Sequence, residues 1–204
     1  MSENLEYDYS SAELNHSHAV LLAPVISEIK RLKPAKIFDL GCGNGSTAIQ
    51  LSEFTNVVGI DLSESGIRNA NRAYPHLDLR VRSVYDDLAA DYGTFPVVVS
   101  LEVVEHLYDP RKYVRRLFDL IDPGGVAIIS TPYHGYIKNL VLAATGKMDN
   151  HFTALWDGGH IKFWSIRTLT QLLEEAGFEA PAFKRVGRVP QIAKSMIAVA
   201  RKPS

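Results

Sequence analysis

Cysteine is almost absent: Cys42 is the only one in 204 residues. An internal disulfide is therefore excluded, and the composition suits a reducing compartment. Excess charge of either sign is also lacking, with 22 Lys and Arg against 23 Asp and Glu and a net charge of −1. With no basic stripe or polybasic tail, nucleic acid is not an expected partner. No apolar run reaches the roughly 18 residues of a membrane-spanning helix. The opening stretch MSENLEYDYSSAELN is polar and acidic, unlike a signal or transit peptide. The expectation is a cytoplasmic protein without a transmembrane segment; the oligomeric state is left open.

What is present is ample apolar material, 46% of the chain, enough for one α/β domain spanning residues 1–204 with a real core. Leu14, His18, Leu21, Leu22, Val25, Ile29 and Leu32 recur at helical spacing, predicting a helix over 12–32 that Pro34 stops, within an N-terminal helical cap of residues 1–34. Five β-type runs follow, at 35–40, 56–61, 77–82, 96–101 and 126–131. Helical patterns separate them at 46–54, 63–74 and 110–120, and DPGG at 122–125 reads as a turn. Runs with little alternation, interrupted by helices, predict parallel strands buried on both faces. Residues 132–165 break this rhythm and read as an irregular aromatic insertion. A helix over 165–177 and two runs near 178–186 and 192–200, close enough to pair as a hairpin, complete the chain.

Gly41, Gly43 and Gly45 lie between the first strand and a helix. Glycines there let backbone approach a ligand, although a tight βα turn alone would also use them. Asp61 ends the second strand 20 residues after Gly41, where a carboxylate can accept hydrogen bonds from both ribose hydroxyls of a nucleotide-like ligand. Asp39 precedes the loop, and a carboxylate there would repel a pyrophosphate. The Gly-x-Gly-x-Gly spacing also differs from the dinucleotide Gly-x-Gly-x-x-Gly. A cationic, phosphate-free nucleoside fits better, and S-adenosylmethionine is one.

The segments DLGCGNG, VVGIDLS, VVVSLEVVEHL and IDPGGVAIISTP fall in order on successive elements between about residues 35 and 131. In this the chain resembles the class I S-adenosylmethionine-dependent methyltransferases, with a flavour similar to the ubiquinone-biosynthesis O-methyltransferases and their small-molecule relatives. The resemblance implies an α/β, Rossmann-like, doubly wound seven-stranded sheet, mostly parallel with a C-terminal antiparallel hairpin and helices on both faces. By position, Gly41 and Gly43 would lie against the methionine part of the cofactor and Asp39 would hold its ammonium end. Asp61 would bind the ribose and Leu62 cover the adenine. Val84, Tyr85 and Asp86 would edge the adenine, and Ser100 and Leu101 would flank the methionine.

Glu102, Glu105 and His106 stand at i, i+3 and i+4. If the segment is helical they share a face. Two carboxylates and an imidazole suit a divalent ion such as Mg²⁺ or Zn²⁺, and some ubiquinone O-methyltransferases with this pattern are metal-dependent. Packing or general-base roles for His106 compete with that reading. The insertion 132–165 holds both tryptophans and His134, His151 and His160. It leaves from the sheet edge where open α/β folds bind ligands, so it is expected to be a lid over the acceptor, unless its rings only form a satellite core. Gly158-Gly159 could aim His160 inward as a base, with His134 as another candidate. NLVLAATG (139–146) could be a short amphipathic helix touching a membrane, though its length favours a lid or core helix. Tyr7, Tyr9, His16 and His18 could close over the cofactor. The expected activity is methylation of a small-molecule acceptor, aromatic or hydroxylated, most simply at oxygen. N- or C-methylation, a nicotinamide oxidoreductase and a non-catalytic relative are the alternatives; Asp39 and the loop spacing argue against the nicotinamide enzyme.

Overall fold

The computed structural model describes residue 11 and residues 16–204, with side chains of the first helix described from Ala19 onward. Tyr7 and Tyr9, and the side chains of His16 and His18, lie outside that description. Seven strands form one sheet in the order β3-β2-β1-β4-β5-β7-β6. They are β1 (Lys36–Leu40), β2 (Asn56–Asp61), β3 (Asp78–Val81), β4 (Phe95–Leu101), β5 (Ile121–Pro132), β6 (Ala182–Val186) and β7 (Ser195–Arg201). The first five pair in parallel, and β7 is antiparallel to both β5 and β6. The expected mixed sheet and closing hairpin are both present.

Alternation along each strand sends side chains to two separate cores. Ile37, Val97, Val99, Val126 and Ile128 meet helices α1 (His16–Leu32), α2 (Ser46–Ser52) and α3 (Glu64–Ala73) on one face. Leu21, Val25 and Ile29 are the fully buried stripe of α1, four residues apart as a helix face requires. Phe38, Leu40, Val98, Ala127 and Ile129 meet α5 (Pro110–Asp119) and α8 (Ile166–Glu175) on the other. Both faces of the central strands β1, β4 and β5 are therefore dry, which is why their sequences run apolar without alternation.

Three elements differ from the sequence expectation. A five-residue helix, α4 (Leu88–Tyr92), precedes β4; it is too short to show a period. Strand β5 begins at Ile121 rather than 126, because Ile121 pairs with Phe95 before the ladder shifts register past the DPGG turn. The insertion 132–165 is partly helical, with α6 (Tyr136–Ala144) and α7 (Met148–Phe152). Among the described residues no helix is long and apolar enough to cross a membrane.

Candidate functional site

The order β3-β2-β1-β4 reverses the winding direction between β1 and β4, and a crevice at the carboxyl ends of these strands is where open α/β sheets bind ligands. The loop after β1 sits in that crevice. The amides of Gly41 and Cys42 both donate to Ile60 O (2.8 and 2.9 Å), and that of Gly43 donates to Asp61 Oδ2 (2.8 Å). The chain is thus pinned to the end of β2. Gly45 takes φ +74° as it enters α2, and a Cβ there would meet Ala70 Cβ and Leu79 Cδ1 at 2.9 Å. Asn44, 7% exposed, donates to Ser11 O (2.8 Å) and accepts from Ser46 N (3.2 Å), tying the N-terminal segment to the loop.

Two carboxylates frame this loop. Asp39 is 2% exposed, its Oδ2 has no hydrogen-bond partner among the described residues, and burial, followed by the charge of Asp61, pushes its pKa up to about 7. Asp61 accepts from Gly43 N and, through Oδ1, from Ser63 N (2.8 Å). Ser63 in turn caps α3 by accepting from Gly66 N (3.0 Å). The loop 41–46 (GCGNGS) contains no basic side chain. A cation placed between these acids would satisfy the orphaned oxygen and relieve their repulsion, whereas a phosphate would find no positive side chain on the loop.

The remaining expected binding residues ring the same edge. Leu62, 56% exposed, follows Asp61. Val84, Tyr85 and Asp86 form a turn after β3 in which the Asp86 amide donates to Ser83 O (3.1 Å). The Asp86 carboxylate is occupied by Ser83 N (3.2 Å) and by Arg82 (3.3 Å). Ser100 is fully buried and donates to Leu40 O (2.7 Å), locking β4 to β1, and Leu101 is 4% exposed.

The metal set expected after β4 comes together in altered form. Glu102 adopts a left-handed backbone, φ +56°, so the segment does not run on as a helix; only Val104–His106 turn, as a 3₁₀ turn. Glu102 instead joins a serine network. Ser130 Oγ donates to its Oε1 (2.8 Å), Ser195 Oγ to its Oε2 (3.4 Å), and burial raises its pKa to about 7. The described cluster with metal-ligand spacing is Glu105, His106 and His160, whose ligand atoms lie within 4.8 Å of one another. Glu105 is fully buried, no hydrogen bond to either carboxylate oxygen is present among the described residues, and burial with the Glu102 charge pushes its pKa well up. His160 Nε2 stands 4.0 Å from Glu105 Oε1.

The glycine pair of the insertion fixes these imidazoles. His106 Nδ1 faces two carbonyls, Gly158 O (2.9 Å) and Gly159 O (3.2 Å). It must therefore carry the proton and donate, which leaves Nε2 with its lone pair. The ring of His160 lies 4.9 Å away, and the amides of Ile161 and Lys162 donate to Glu105 O (2.9 Å each). Burial holds the pKa of His160 near 4 and lowers that of His106. His134 falls in a different group, packed with His151, Phe152 and Phe163 at ring distances of 5.0–6.1 Å. Burial lowers its pKa to about 4. Of the other aromatics, Tyr133 and Trp164 join the main core, while Trp156 and Phe163 stay 41% and 44% exposed. Sequence reasoning did not single out Lys138, Ser130 or Ser195; nothing marks them until the strands are assembled.

A family model described as "Methyltransferase domain" matches residues 14–181. A probable S-adenosylmethionine-dependent methyltransferase of Mycolicibacterium smegmatis is 31% identical over 144 residues, covering 70% of this chain and 51% of that protein. A ubiquinone biosynthesis O-methyltransferase of Dinoroseobacter shibae is 33% identical over 156 residues, covering 72% and 61%. The chain thus spans between half and three-fifths of the length of these relatives. Among solved structures, the magnesium protoporphyrin IX methyltransferase of Synechocystis PCC 6803 with bound SAH superposes with a TM-score of 0.68 at 20% identity, covering 95% of this chain and 90% of that one.

Proposed function

The chain belongs to the class I S-adenosylmethionine-dependent methyltransferases, and from that premise we propose that it methylates a hydroxyl oxygen of a small-molecule acceptor. The observation that carries this reading is the buried Asp39, its Oδ2 without a partner among the described residues, close to the charge of Asp61 beside a glycine loop devoid of basic side chains. That donor set fits an ammonium and a ribose and disfavours a diphosphate. When bound, S-adenosylmethionine supplies a methyl carbon made electrophilic by its sulfonium.

The residues have distinct tasks. Asp39 holds the ammonium, with Gly41 and Gly43 against the methionine backbone. Asp61 accepts from the ribose hydroxyls, exchanging its bonds to Gly43 N and Ser63 N for them in part. Leu62 and the Val84–Asp86 turn border the adenine; Ser100 and Leu101 border the methionine. Catalysis then rests on aligning nucleophile and methyl group and excluding water. The hydroxyl proton must leave as the new C–O bond forms, and the S–CH₃ electron pair stays on sulfur. His106 Nε2, unprotonated in the tautomer that the Gly158 and Gly159 carbonyls require, and His160, neutral above about pH 4, are both able to accept that proton. The Glu105–His106–His160 cluster also fits a divalent cation, which would supply Lewis acidity and lower the pKa of the hydroxyl. His134 would line the acceptor side as part of the aromatic group.

Titration calorimetry tests the reading. S-adenosylhomocysteine is expected to bind at micromolar concentration and NADH not at all. Binding of neither would place the chain among non-catalytic relatives, and binding of NADH alone would return it to the oxidoreductases.

A further inference from the structure

Helix α6 of the insertion is built inside out. Its apolar residues Tyr136, Ile137, Leu140 and Val141 are 45–79% exposed, whereas Lys138 is 7% exposed and is the helix's only buried residue. Burying an ammonium is costly unless an opposite charge or good hydrogen bonds compensate. Here the compensation is thin. Nζ makes one long hydrogen bond, 3.3 Å, to Lys194 O, a carbonyl already used by Tyr133 N (3.0 Å). Neither Lys138 nor Arg188, the second cation beside it, makes an ion pair among the described residues.

The charges around Lys138 do not balance. The groups that act on it or share its surroundings are Arg188, Glu102, His134 and His151. Among the described residues Glu102 is the only acid of this group, and both its oxygens already accept from Ser130 and Ser195. Burial, followed by the charge of Arg188, depresses the Lys138 pKa to about 8, the signature of a cation lacking a full counter-charge. The location is also specific. Glu102 immediately follows Ser100 and Leu101 at the end of β4, and Lys194 precedes β7, so Lys138 stands at the carboxyl end of β4 beside the start of β7.

We propose that Lys138, seconded by Arg188, recognises an acidic group on the methyl acceptor, so that the acceptor is a carboxylic acid that also bears the hydroxyl to be methylated. The inference rests on the methyltransferase reading. An incoming carboxylate supplies the counter-charge that the described residues do not, and its distance from the hydroxyl selects which oxygen meets the methyl group. A neutral analogue leaves the ammonium buried and uncompensated, so discrimination by the missing charge is large.

The probes are two matched pairs, benzoate with benzamide and hexanoate with hexanamide, titrated by NMR into protein saturated with S-adenosylhomocysteine. In at least one pair the acid is expected to bind tenfold or more tightly than its amide. Lys138→Met should abolish that preference, leaving amide and S-adenosylhomocysteine affinities within twofold, while Lys138→Arg should restore much of it. Arg188→Gln, at an exposed position that does not threaten folding, should reduce the preference several-fold and carries the test if Lys138→Met fails to fold. Equal binding of acid and amide in both pairs, detectable binding of none of the four, or a preference insensitive to both positions overturns the inference. Failure of S-adenosylhomocysteine itself to bind removes instead the reading on which it rests.

Discussion

Asp39→Asn should stabilise the ligand-free protein at pH 8 while abolishing cofactor binding. The Asp39 pKa rises from 3.8 to about 7, principally through burial. At roughly 1.4 kcal/mol per pH unit, holding the carboxylate ionised costs about 4 kcal/mol once both states are deprotonated. The sign follows from proton binding. Between about pH 4 and 7 the folded state keeps the proton that the unfolded state has lost, so stability falls as pH rises across that window and is flat above it. Asparagine removes the charge but must bury an N–H pair in its place, at about 1–2 kcal/mol. The net gain at pH 8 is therefore about 2 kcal/mol, or about 4–8 °C in Tm for a domain of this size. At pH 5 the wild-type cost has dropped to about 1.5 kcal/mol, and the variant should melt within a degree or two of wild type. Differential scanning calorimetry at the two pH values reads this directly, and adding S-adenosylhomocysteine should raise the wild-type Tm alone. A variant destabilised equally at both pH values would mean that the protein already satisfies the Asp39 charge, and the argument for a cationic ligand would fail.

Asp61→Ala should weaken S-adenosylhomocysteine binding by roughly 1–3 kcal/mol in calorimetry; unchanged affinity would show that this carboxylate does not hold the ribose. His160→Ala should lower kcat more than it raises the cofactor dissociation constant. Because burial holds the His160 pKa near 4, any acid limb that it contributes to the rate profile belongs near that pH, not near 6.5; an acid limb near 6.5 would refute His160 as the proton acceptor. The same depression predicts that folding stability is lost as pH falls from about 6.5 to 4, since the unfolded chain takes up the proton first. Gly45→Ala combines φ +74° with contacts at 2.9 Å to Ala70 and Leu79 and should cost on the order of 2 kcal/mol, seen as a lower urea midpoint at unchanged slope.

Much of the fold is legible because burial on both faces leaves a strong mark. Strand β2 falls on the expected residues, 56–61, and Ser63 caps the following helix as its residue type suggests. The glycine loop and its two acids are also readable, since their spacing is local to one β-α-β unit. The acceptor side is less so. Glu102, Glu105 and His106 share a face only if the chain stays helical, and the left-handed Glu102 diverts its carboxylate to Ser130 and Ser195, 28 and 93 residues away. His160 enters the cluster in its stead, from a segment whose pattern carries no period. Helix α6 overlaps the short helix expected at 139–146 but starts at Tyr136, and which face it buries is not legible, because its apolar residues face outward, against the rule by which amphipathic helices are recognised.

By itself, the sequence determined the parallel sheet, its closing hairpin, and an acidic glycine loop poised at the strand ends, because each is encoded in residues adjacent along the chain. Only the tertiary structure decided which imidazoles meet Glu105, which serines occupy Glu102, and that Lys138 is the buried face of its helix. Those choices depend on side chains brought together from strands and loops tens of residues apart, where register and backbone handedness, not local composition, set the neighbours.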